Sequence, residues 1–157
     1  MIEIALYQPD IAANAAAVIR LAACFGLPVR IIEPAGFLWS DSGLRRTGMD
    51  YLEKVEVSRE SSWNAFLAAI AGRRRILLST KAATSYLDFR FSAGDILIMG
   101  RESAGVPDTV HAAADARLLI PMRPGLRSLN VAMACAIVTG EALRQLGGFA
   151  TSSGEAG

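Results

Sequence analysis

Ile-Pro-Met-Arg-Pro-Gly-Leu-Arg-Ser-Leu-Asn, residues Ile120 to Asn130, ends one apolar stretch and opens another. Ala116 to Ile120 predicts a strand, and the Pro/Gly-rich turn that follows carries Arg123 and Arg127. Ser128 and Asn130 stand where a helix must begin, and both side chains can accept hydrogen bonds from the free N–H groups of a first turn. Two such residues beside two arginines exceed what a cap requires. The surplus points to a binding site built from backbone amides. The helix itself runs from about Asn130 to Leu146 and stops at Gly147-Gly148.

Upstream, short apolar runs alternate with helical patterns. Strands are expected at Ile2 to Leu6, Val29 to Ile32, around Val55 and Val57, at Arg75 to Ser79 and at Asp95 to Met99. Asn14 is the expected N-cap of a first helix ending at Phe25, with Gly26 as its stop. A short helix around Asp41 to Thr47 carries Arg45 and Arg46. Ser61 or Ser62 caps a helix in which Trp63, Phe66, Leu67 and Ile70 share a face, and Pro107 suits the first turn of another reaching Ala114. Such alternation predicts an α/β fold: a mostly parallel sheet with helices on both faces. In these sheets ligands bind beyond the carboxyl ends of the strands. Loops leaving Leu78, Met99 and Ile120 are therefore expected to converge on one site.

Composition narrows the class. The chain has 157 residues, 52% hydrophobic and 20% charged, which suits one globular domain over residues 1–148 and a disordered tail at 149–157. No apolar run reaches the ~18–20 residues of a membrane span. The opening Met-Ile-Glu-Ile-Ala-Leu-Tyr reads as a strand and not a secretory leader, so the expected location is cytoplasmic. Cys24 and Cys135 lie in apolar helical stretches and read as core thiols. A net charge of +1 leaves any nucleic-acid surface to local arginine clusters. Arg73-Arg74-Arg75 reads as a solvated run and His111 as a lone surface histidine. No carboxylate pair, Cys/His cluster or Ser-His-Asp set suggests a metal or a hydrolase.

Gly100-Arg101-Glu102-Ser103-Ala104-Gly105-Val106-Pro107 follows a strand and opens a helix. Its two glycines permit tight turning and close backbone approach to a ligand, although a plain strand-to-helix turn would need the same. Neither a Walker loop nor a Gly-x-Gly-x-x-Gly fingerprint is present.

Taken together, Gly100-x-Glu102-x-x-Gly105-x-Pro107, Ile120-Pro121-Met122 and Ser128-Leu129-Asn130 resemble motifs two and three of the SPOUT superfamily of RNA methyltransferases. The front of the chain resembles the branch that methylates the ribose 2′-hydroxyl of the wobble pyrimidine in tRNA. It does so through Leu6-Tyr7-x-Pro9, Asn14 and Arg20, Ile31-Ile32-Glu33-Pro34-x-Gly36-Phe37, and Leu44-Arg45-Arg46-x-Gly48-x-Asp50-Tyr51. The resemblance implies a C-terminal deep trefoil knot, a homodimer and S-adenosyl-L-methionine as cofactor. It implies cofactor contacts at Leu78, Gly100, Glu102, Gly105, Ile120, Met122, Ser128 and Leu129. It further implies Arg20, Asn14, Ser128 and Asn130 as catalytic residues, with Arg45, Arg46, Arg123, Arg127 and Tyr51 on the anticodon stem-loop of tRNA.

One departure stands out: where the family pattern has Thr-Gly-Asn after the first Asn, this chain has Ala15-Ala16-Ala17. That change leaves open a non-catalytic RNA-binding paralogue, or a 2′-O-methyltransferase for another RNA position. Arg20 as a literal base is awkward because guanidinium stays protonated to pH ~12 and beyond. It is better suited to holding a phosphate and the hydroxyl, and a structural role with its stem packed also remains open.

Overall fold

Residues 1–38 and 51–151 are described by a computed structural model. Seven strands form one sheet: β1 (Glu3–Tyr7), β2 (Val29–Ile32), β3 (Val57–Glu60), β4 (Arg75–Leu78), β5 (Thr84–Ser85), β6 (Ile96–Met99) and β7 (Ala116–Leu119). Their order is β3-β2-β1-β6-β4-β7-β5, and every pairing is parallel. Strands β1 and β6 are buried along their whole length, as a parallel sheet covered on both faces requires.

Successive side chains of a strand point to opposite faces, and the core divides accordingly. Ile4, Leu6, Leu97 and Met99 pack with Val18 and Ile19 of α1 (Ala12–Phe25) and Val138 and Ala142 of α4 (Val131–Leu146). Ala5, Tyr7, Ile96 and Ile98 pack with Phe66 of α2 (Trp63–Ala69) and Val110 of α3 (Asp108–Ala113). Helices thus cover both faces, as expected.

Local signals set most helix ends. Asn130 Oδ1 accepts from Ala132 N at 2.9 Å and Met133 N at 3.3 Å, so Asn130 is the cap of α4 and Ser128 is not. Ser62 caps α2 through Ala65 N, at 3.0 Å. Gly147 ends α4 and Gly26 ends α1, both left-handed. Asn14, in contrast, does not cap α1. The helix begins at Ala12 after an extended Ile11, and Asn14 N donates to Ile11 O at 3.1 Å inside the first turn. Pro107 likewise precedes α3 instead of sitting in its first turn. The third strand starts at Val57, so Val55 lies outside it. Strand β5 and a 3₁₀ turn at Tyr86–Asp88 have no counterpart in the periodicity.

Two further expectations are corrected. Arg73-Arg74-Arg75 is an ion-paired belt at the amino edge of the sheet. Arg73 pairs with Glu3, Arg74 with Asp95 at 2.7 Å, and Arg75 with Asp115 at 3.3 Å. Glu3 and Asp95 are buried, which is tolerable only because guanidinium groups satisfy them. That belt lies at the opposite end of the strands from the carboxyl-end loops. Cys24 is exposed on α1, and only Cys135 is a core thiol. Burial pushes the Cys135 thiol up to about 12, so it stays protonated. Iodoacetamide at pH 8 should leave Cys135 unmodified in the folded protein and alkylate it after unfolding, read by peptide mass spectrometry.

The segment Asp41 to Thr47, with Arg45 and Arg46, lies outside the described residues, as do residues 152–157. Phe149, expected in the tail, packs edge-on against Phe25 at 5.4 Å. No helix among the described residues is long and apolar enough to cross a membrane.

Candidate active site

Sheet order brings the site together. Strands β1, β6, β4 and β7 are neighbours, and their carboxyl ends lie level to within one residue: Leu6 opposite Met99, Met99 opposite Leu78, Leu78 opposite Leu118. Loops leaving these strands therefore start side by side at one edge, where open α/β sheets bind ligands. They enclose a cleft of about 900 Å³, within the ~300–1,000 Å³ usual for small-molecule sites. Leu78, Gly100, Glu102, Gly105, Ile120, Met122, Ser128 and Leu129 all line it, together with Asn14 and Asn130.

The glycine loop has a definite shape. Arg101 N donates to Gly105 O and Gly105 N to Arg101 O, both at 2.9 Å, folding residues 101–105 back on themselves. Gly105 has φ +64°, the left-handed region that favours glycine. Gly100 packs so closely that an added Cβ would lie 3.0 Å from the Cα and carbonyl carbon of Gly105.

Three segments are stitched together behind this loop. Asn130 Nδ2 donates to Asn14 Oδ1 at 3.0 Å, and Asn14 Nδ2 donates to Glu102 Oε1 at 3.5 Å. Glu102 Oε2 accepts from Asp10 N at 2.8 Å. Glu102 therefore orients the loop. Asn14, in the first turn of α1, links that helix to the cap of α4.

Asp10 is a site residue that sequence reasoning passed over. Its carboxylate accepts from Arg101 Nη2 at 2.6 Å and from Ser103 N at 3.1 Å. The Arg101 contact, followed by Ser103, holds this carboxyl at about 2, so it is charged at any working pH. The nearby Tyr7-x-Pro9 motif was the available signal, since a proline turn at a strand end places the next side chains over the carboxyl edge. Lys81 and His111 were also missed as lining residues. His111 is half-buried, and its Nε2 has no hydrogen-bond partner among the described residues.

Arg123 and Arg127 are exposed on the rim, with no ion pair among the described residues. Arg20 does not line the cleft. It is exposed on α1, six residues beyond Asn14, or about 9 Å along the helix axis. Its guanidinium lies over the Tyr51 ring, 5.0 Å from the centroid, a contact worth ~0.5–1 kcal/mol at an exposed site. Ala15 and Ala16, where the motif departs from the family pattern, are buried against the sheet, and only Ala17 faces outward. Two of the three changes are therefore packing changes.

Residues 1–140 match the model of the SpoU rRNA Methylase family. The chain belongs to that family. It is 60% identical over 149 residues to a tRNA (cytidine(34)-2'-O)-methyltransferase of Beijerinckia indica, covering 94% of this chain and 93% of the relative. A solved structure reported as structural insights into the 2-OH methylation of C/U34 on tRNA superposes with a TM-score of 0.91. It is 42% identical, covering 94% of this chain and 97% of that one. An AdoMet bound rRNA methyltransferase from Sinorhizobium meliloti has a TM-score of 0.82 at 25% identity, covering 92% of this chain and 56% of that chain.

Proposed function

We propose that this SpoU methylase transfers a methyl group from S-adenosyl-L-methionine to the ribose 2′-hydroxyl of the wobble pyrimidine, nucleotide 34, in the anticodon loop of tRNA. The observation that carries this reading is one cleft lined by all eight expected cofactor residues, in a chain 60% identical to a relative named for that reaction.

The lining suits the cofactor. Leu78, Ile120, Met122 and Leu129 offer apolar cover for a flat purine, and the backbone of the glycine loop can approach its polar edge. Bound S-adenosyl-L-methionine supplies an electrophilic methyl group on a sulfonium. The protein must align the 2′-hydroxyl, a poor nucleophile at neutral pH, and let its proton leave. Arg20 remains protonated, so its part is to hold the adjoining phosphate and the hydroxyl while the proton passes to that phosphate or to solvent. Ser128 and Asn130 hold the loop beside the attacking ribose, and Arg123 and Arg127 take phosphates. Arg45, Arg46 and Tyr51 extend the same RNA surface.

The working unit is a homodimer in which Arg20 of one subunit faces the cleft of the other. Arg20's absence from its own cleft supports this. So does the strip of Ala13, Ala17, Met133 and Ile137, with Met133 65% and Ile137 39% exposed. A deep trefoil knot forms the C-terminal part. It is supported by the clasp of Gln145 on Phe89 O and Phe91 N, both 2.9 Å. The enzyme acts in the cytoplasm, without a metal.

An anticodon stem-loop RNA should accept tritiated methyl from the wild-type protein, whereas the same RNA with a 2′-deoxyribose at nucleotide 34 should accept none. Equal incorporation into both RNAs would reject the assignment. Cofactor binding with no incorporation into either would favour the non-catalytic paralogue.

A further inference from the structure

We propose that Asp10 is a positioning residue for the cofactor loop, latching residues 101–103 so that Gly100 and Gly105 keep the shape the cleft requires. This rests on the cofactor reading above and adds a residue that none of the motifs quoted from the sequence includes.

One residue engages three consecutive ones. Asp10 Oδ1 accepts from Arg101 Nη2 at 2.6 Å and Nε at 3.2 Å. Asp10 Oδ2 accepts from Ser103 N at 3.1 Å and from the Ser103 hydroxyl. Asp10 N donates to Glu102 Oε2 at 2.8 Å. Charge-assisted, two-pronged contacts of this kind are the strong class of hydrogen bond. Behind Asp10 the chain is braced. Gly36 N donates to Pro9 O at 2.8 Å, and a Cβ on Gly36 would lie 3.0 Å from Asp10 Cα. Gln8 has φ 43°, rare for a residue with a side chain, and its Oε1 accepts from Arg101 Nη1 at 3.3 Å. Such backbone persists only where its surroundings over-determine it.

The latch also decides what Arg101 is for. Although it borders the cleft, its guanidinium is engaged by Asp10 and Gln8, which makes it part of the latch. Through Glu102 and Asn14 the same latch ties the cofactor loop to α1, the helix that presents Arg20.

Asp10→Ala and Asp10→Asn, each alone and combined with Arg101→Met, test the latch by two readouts. In the cofactor-free protein, hydrogen exchange at the Ser103 and Gly105 amides should accelerate in Asp10→Ala. In calorimetry with S-adenosylhomocysteine, its Kd should rise roughly 10-fold, with Asp10→Asn between it and wild type. Adding Arg101→Met to Asp10→Ala should cost little more, because the Asp10–Arg101 pair is already lost and only the longer Gln8 contact remains to remove. At saturating cofactor, kcat should stay within about threefold of wild type, since the latch acts on cofactor binding and not on the ribose. Folded variants with wild-type exchange and wild-type Kd would overturn the proposal, and Asp10→Asn decides if Asp10→Ala does not fold. Should the wild-type protein itself bind no S-adenosylhomocysteine, the cofactor reading fails while the exchange measurement still judges the latch.

Discussion

Arg20→Ala is expected to lower the rate of methyl transfer roughly 100-fold or more, because alignment of the attacking hydroxyl is lost. The Kd for S-adenosylhomocysteine should be unchanged, since the proposed part of Arg20 is to hold the phosphate and hydroxyl of the RNA and not the cofactor. Arg20→Lys should recover only part of the rate: an ammonium is a point charge and cannot grip phosphate and hydroxyl with a planar fork. Near-wild-type turnover by both variants would remove Arg20 from the reaction. The shared site has its own test. Arg20→Ala subunits can be mixed equally with Gly100→Ala subunits and allowed to exchange. If Arg20 serves the partner's cleft, each mixed dimer holds one intact site, so about a quarter of wild-type activity returns. If Arg20 serves its own cleft, activity at limiting cofactor stays at the mean of the two separate variants.

Some parts of this molecule could be read along the chain, and the reason is locality. The Asn130 cap, the glycine stops at Gly26 and Gly147 and the wholly apolar run Ile96–Met99 each declare themselves within a few residues. Convergence of the cleft loops was also readable, because it follows from strand ends in a parallel sheet. Asn14 shows where reading stops. Its type suggests a cap, but Ile11 takes that position. Its actual partners, Glu102 and Asn130, are 88 and 116 residues away. No local preference encodes such a contact. Arg73-Arg74-Arg75 looked solvated for the same reason, since Glu3 is 70 residues from Arg73. The departure at Ala15-Ala16-Ala17 leaves the substrate open when read along the chain, and burial places Ala15 and Ala16 in the core. Sequence motifs located the cleft, while the polar lattice that holds its loops had to be seen in three dimensions.

That lattice sets the second large effect. Gly100→Ala would place its Cβ 3.0 Å from the Cα and carbonyl carbon of Gly105. Both atoms are backbone, so no side chain can swing aside. Gly105 is itself tied to Arg101 by two hydrogen bonds of 2.9 Å, and Arg101 to Asp10 at 2.6 Å. The methyl must therefore push the loop open. Overpacking of this kind costs ~1–3 kcal/mol, and at ~1.4 kcal/mol per decade S-adenosylhomocysteine should bind about 10- to 100-fold more weakly. Gly105→Ala is the informative control. Its Cβ would meet nothing within 4 Å, and it is strained only by φ +64°, a left-handed cost of ~1–2 kcal/mol. It should therefore weaken binding less than Gly100→Ala while lowering the melting temperature by a few degrees. The reverse ranking in calorimetry would mean that close backbone approach at Gly100 does not shape the cleft.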